Sequence, residues 1–92
     1  METLDRERIE AALADLGDWA YEGGELTRTF RFHDFTAAVE FVERLAEVAE
    51  GMQHHPDIDI RYNKVILHVV THSAGGVTQK DLELAEAVGH IS

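Results

Sequence analysis

Over residues 4 to 16, LDRERIEAALADL, the apolar positions Ile9, Ala12, Leu13 and Leu16 fall on one helical stripe, and Gly17 follows as a stop. The period then shortens to two. In DWAYEGGELTRTFRF, Gly23-Gly24 separates two short strand candidates. In the second of them Leu26, Phe30 and Phe32 share one parity while Thr27, Thr29 and Arg31 take the other, as in a hairpin. From Asp34, at the position of a helix N-cap, helical spacing returns over 35–50. Phe35, Ala38, Val42, Leu45 and Ala49 form its main stripe, Phe41 and Val48 widen the apolar face, and Gly51 is expected to end it.

A second period-two stretch follows the proline. Ile58, Ile60 and Tyr62 alternate with Asp57, Asp59 and Arg61, the pattern of a half-buried strand. Asn63-Lys64 reads as a two-residue turn, since asparagine tolerates positive φ, and VILHVVTH is the return strand, broken by Gly75-Gly76. Thr78 opens a last helix whose apolar positions are Leu82, Leu84, Ala85 and Val88. The order α-β-β-α-β-β-α over 1–92 predicts one α+β domain: a four-stranded antiparallel sheet with helices packed on one face. Open strand edges and the wide apolar face of 35–50 predict a homodimer or homotetramer.

Composition narrows the partners. Of 92 residues 45% are hydrophobic, enough for a globular core, and 8 basic against 18 acidic side chains give a net charge of −10. That balance argues against nucleic acid and anionic membrane as partners, both of which need a basic face. The absence of cysteine removes disulfides, thiol nucleophiles and thiolate metal sites. With no signal peptide or membrane-length apolar run in the sequence, a cytoplasmic location is expected.

Candidate chemistry gathers at MQHHPDIDIRYNK, residues 52–64. Pro56 pushes His55 into extended backbone, where neighbouring side chains diverge, so His54 and His55 face different parts of one corner. Counting back from a turn at Asn63-Lys64 places His72 opposite that corner, beside Gly75-Gly76 and the start of the last helix. His33, His68 and His90 lack such company. Plainer readings exist for each residue. The His-His pair could be a solvated turn, His72 a polar strand end, and Tyr62 a core aromatic with its hydroxyl at the rim. In TQKD, Asp81 could be the N3 partner of Thr78 in a capping box.

The stretch EGMQHHPDIDIRYNKVILHVVTHSAGGVTQKD, from Glu50 to Asp81, resembles the signature of pterin-4a-carbinolamine dehydratases. That signature has an acidic residue ahead of His-His-Pro, an aromatic after a short strand, a histidine after the next strand and a later aspartate. Glu50, His54, His55, Pro56, Tyr62, His72 and Asp81 match it in register, and LTRTFRFHDFTAAVEFVERLAEVAE upstream is similar in style. The resemblance implies dehydration of 4a-hydroxytetrahydropterin to quinonoid dihydropterin, which recycles the pterin of aromatic amino acid hydroxylases, without metal or redox cofactor. It implies acid/base roles for His54 and His72, chemistry suited to imidazole, and substrate orientation by His55. Glu50, Gln53 and the Thr71 backbone are expected to hold the pterin, with Pro56, Tyr62 and Asp81 in support. Gln53 stands where many relatives carry asparagine or another small polar residue. Two other classes stay open: a metal-binding protein using these histidines with Glu50 or Asp81, and a dimerisation cofactor of a transcription factor working through helix faces.

Overall fold

In a computed structural model that describes residues 2–92, helix α1 spans Arg6–Leu16. It starts two residues inside the expected 4–16 because the Asp5 carboxylate caps it, accepting the Arg8 N–H at 2.8 Å. Leu4 is left in an extended lead-in, where its N–H donates to the Val77 carbonyl at 2.8 Å. Gly17 ends the helix at φ 84°, a conformation glycine adopts without steric cost. Strands β1 (Ala20–Glu22) and β2 (Glu25–Arg31) follow as a hairpin through Gly23-Gly24. After α2 (Phe35–Met52) come β3 (Asp57–Arg61), β4 (Lys64–Val69), a 3-10 turn over His72–Ala74, and α3 (Gln79–Ile91). The sheet is antiparallel throughout, in the order β1-β2-β4-β3.

The two central strands supply the floor of the core. Leu26 and Phe30 of β2 and Val65, Leu67 and Val69 of β4 are buried, while the residues of opposite parity face away from the helices. Against that floor pack Ile9 of α1, Ala38, Phe41, Leu45 and Ala49 of α2, and Leu82, Leu84, Ala85 and Val88 of α3. Trp19 closes the cluster edge-on to Phe30.

Four expectations about local structure are corrected. In α2 the buried stripe is Ala38-Phe41-Leu45-Ala49, so Phe41 is at the centre of the core and Phe35 is 50% exposed. The Phe41 ring lies 4.7 Å from that of Phe30 and 5.2 Å from that of Phe32, and an aromatic so placed outweighs the idealised stripe. Gly51 does not end the helix; Gln53 does, in left-handed backbone at φ 52°. The β3–β4 turn is Tyr62-Asn63, not Asn63-Lys64, and Tyr62 takes the positive φ of 53°. Asn63 is held by Phe32, donating its side-chain amide to the Phe32 carbonyl and accepting the Phe32 N–H, each at 2.8 Å. Finally, β3 is an edge strand lying past the cover of the helices, so Ile58 and Ile60 are 39% and 40% exposed although they share a face with Leu67 and Val65.

Candidate active site

The corner is built by the way α2 stops. Gln53 turns its N–H back to the carbonyls of Ala49 and Glu50, and its side-chain amide also donates to the Glu50 carbonyl at 2.8 Å. The His54 N–H returns to the Ala49 carbonyl at 3.1 Å. This tight exit, followed by Pro56, sends the two histidines in opposite directions: the His54 ring is 11% exposed and the His55 ring 58%.

His54 meets α3. Its Nε2 lies 2.5 Å from Oδ1 of Asp81, a fully buried carboxylate in the first turn of that helix. Oδ2 of Asp81 accepts two further bonds, from the Thr71 hydroxyl and from the Thr78 N–H, both at 2.8 Å. The Thr78–Asp81 pair is the capping box that TQKD predicts, and the same carboxylate also holds the histidine. A carboxylate only accepts, so Nε2 of His54 is the donor in this contact. Three donors around one buried carboxylate meet the requirement that a charge removed from water be paired and hydrogen-bonded.

The remaining groups are looser. His55 contacts the Glu50 carboxylate through its Nε2, with both side chains exposed. β4 stops at Val69, and the register is two residues tighter than a turn at Asn63-Lys64 implies, so His68 faces Asp57 across the ladder. His72 still reaches the corner, through the 3-10 turn, with Nε2 3.5 Å from Oδ2 of Asp57 and both side chains exposed. Asp57 and Thr78 were not singled out for the site from sequence; the acidic residue directly after His-His-Pro was the available signal for the first.

Other expected members are placed elsewhere or are already engaged. Thr71 donates its N–H to the Gly76 carbonyl, and its own carbonyl accepts from Ala74 and Gly75, so its backbone closes the loop. Gln53 caps α2. Tyr62 is 69% exposed at the hairpin tip, the far end of β3, roughly 15 Å from Asp57 at the strand's rise per residue. The surface cleft lined by Arg8, Asp15, Gln79 and Glu86 lies between α1 and α3 and not at the histidines. Among the described residues no three histidine or carboxylate side chains converge as metal ligands. His54, His55 and His72 instead pair with three separate carboxylates.

A family model for pterin 4 alpha carbinolamine dehydratase matches residues 2–91. The chain belongs to the pterin-4a-carbinolamine dehydratase family. It is 50% identical over 91 residues to a Chloroflexus aurantiacus protein named for that dehydratase, covering 99% of this chain and 98% of the relative. A Sulfolobus acidocaldarius protein of the same name is 44% identical over 88 residues, covering 96% and 97%. Among solved structures, a transcriptional coactivator/pterin dehydratase from Brucella melitensis superposes with a TM-score of 0.92 at 35% identity, covering 98% of each chain. Membership of this dehydratase family makes the chain a hydro-lyase. No helix among the described residues is long and apolar enough to cross a membrane.

Proposed function

We propose that the protein dehydrates 4a-hydroxytetrahydropterin to quinonoid dihydropterin by histidine acid/base catalysis, so returning the spent cofactor of aromatic amino acid hydroxylases to use. The C4a hydroxyl leaves as water after taking a proton, the N5 proton passes to a base, and the N5 electron pair closes the C4a=N5 double bond. His54 and His72 carry the two proton transfers, and imidazole is suited to both directions near neutrality. His55, braced by Glu50, orients the pterin. The observation that supports this most is the Asp81–His54 contact, a buried carboxylate fixing the tautomer of a nearly buried imidazole beside an open corner. A stopped-flow assay on freshly generated 4a-hydroxytetrahydropterin tests it: acceleration over the spontaneous reaction is expected, unchanged after EDTA. Loss on chelation with recovery on added zinc or iron would favour the metal-binding reading instead.

We further propose a homo-oligomer, dimer or tetramer. Phe35, Val39 and Ala46, with Val42 at the margin of the core, form a second apolar stripe on α2 spaced as in a helix–helix seam. Edge strand β3 is self-complementary in an antiparallel pairing centred on Asp59: Asp57 then opposes Arg61 of a second copy, and Ile58 opposes Ile60.

A further inference from the structure

The structure assigns the hydroxyls of Thr78 and Thr71 to a directed hydrogen-bond chain that positions Asp81 and thereby holds His54 with its proton on Nε2. The kinetic part of this inference rests on the dehydratase mechanism proposed above; the part concerning the His54 ring does not.

The direction follows from counting donors. Thr71 Oγ1 lies 2.8 Å from both Asp81 Oδ2 and Thr78 Oγ1. A hydroxyl has one proton, and a carboxylate can only accept, so the Thr71 proton points to Asp81. Thr78 must then donate its own proton to Thr71 Oγ1, and Thr78 Oγ1 in turn accepts the Lys80 N–H at 3.3 Å. The chain runs from the Lys80 amide through Thr78 and Thr71 to Asp81. Thr78 is fully buried and Thr71 is 8% exposed, so bulk water is poorly placed to substitute for either partner. Two donors on Oδ2, the Thr71 hydroxyl and the Thr78 N–H, hold the carboxylate in one orientation. Among the described residues, Oδ1 bonds to His54 alone. The Thr71 backbone is consumed by the Gly76 bridge and the 72–75 turn, which leaves the side chain as the part of Thr71 that acts, through Asp81. Thr71 and Thr78 are therefore positioning residues.

Thr71→Val keeps the side-chain shape and removes the donor; Thr71→Ser restores it. With 4a-hydroxytetrahydropterin as substrate, Thr71→Val is expected to lower kcat about tenfold, the lower end of the usual effect of a supporting hydrogen bond, with KM within about twofold of wild type. Thr71→Ser is expected to stay within about twofold in both. A loss carried by KM would make Thr71 a substrate contact, and unchanged kcat in Thr71→Val would leave the chain idle; either result overturns the inference. The His54 ring gives an independent readout by 15N NMR at alkaline pH, where imidazole is neutral. Wild type and Thr71→Ser are expected to show the proton on Nε2, and Thr71→Val a mixture of tautomers. A wild-type ring protonated on Nδ1 overturns the inference whether or not Thr71→Val folds. If wild type shows no dehydratase activity, the mechanism fails, and the ring measurement still decides the positioning.

Discussion

Asp81 and His54 meet at 2.5 Å, one buried in the first turn of α3 and the other just past the end of α2, so a side-chain hydrogen bond joins the two helices at the point where the chemistry is proposed. The carboxylate that caps one helix thus sets the ring of a histidine leaving another. Stability and the proposed activity are therefore expected to be coupled at this residue.

His54→Ala and His72→Ala are each expected to reduce dehydration by roughly 10²–10⁴-fold, the usual effect of one general acid or base. Because the uncatalysed reaction is facile, rates should be read against a spontaneous control. Wild-type turnover in both folded variants would refute the proton-transfer assignment. His55→Ala, which loosens an exposed orienting pair, should raise KM more than it lowers kcat.

Asp81→Asn replaces one acceptor oxygen by an NH2 in a place where three donors converge. A cap alone is worth about 1 kcal/mol, whereas an unsatisfied buried group adds about 1–3 kcal/mol. The expected outcome is a loss of about 2 kcal/mol, a Tm lower by about 10 °C in thermal unfolding, together with a reduced kcat and an altered pH–rate profile. A variant that melts early but turns over normally would confine Asp81 to capping.

Sedimentation at micromolar concentration should show a dimer or tetramer. Ala46→Glu puts a charge at an exposed position of the outer stripe of α2 and should move the distribution toward smaller species. Charge reversal at Arg61 tests the β3 edge in the same way, and restoration by combining Arg61→Glu with Asp57→Arg would fix the pairing as antiparallel. Monomer alone in the wild type would remove the proposal.

Tyr62 occupies left-handed backbone at φ 53°, where a side chain other than glycine costs about 1–2 kcal/mol. Part of that is returned to a glycine variant as extra entropy of the unfolded chain. Tyr62→Gly is therefore expected to gain about 0.5–1 kcal/mol, measured by urea denaturation at unchanged slope. A loss of stability would show that the exposed ring makes contacts that outweigh the strain.

The elements themselves were legible because period decides them: each predicted helix and strand is present, in order, and both predicted hairpins pair, whereas the β2–β4 pairing that joins them is not encoded in either hairpin. What periodicity could not see was tertiary competition for single residues. Asn63 looks like the turn residue that tolerates positive φ, yet Phe32, distant in sequence, claims its amide and carbonyl, and Tyr62 takes the strained position instead. The α2 stripe was shifted because Phe41 finds two aromatic partners across the core that no local count includes. At the site, spacing and family resemblance named the histidines and Asp81. The bond between His54 and Asp81 depends on α3 docking against the end of α2, and no pattern in either segment encodes it.

The lead-in ahead of α1 has a consequence for which substitutions the chain can accept. Leu4 is bonded to Val77, and a Cβ placed on Gly76 would come within 3.1 Å of the Thr3 methyl. Positions 3 and 76, far apart in sequence, share one small volume. A larger residue at 76 requires the exposed Thr3 side chain to give by a few tenths of an ångström. Substitution at position 3 is in this way tied to the loop between Thr71 and Thr78.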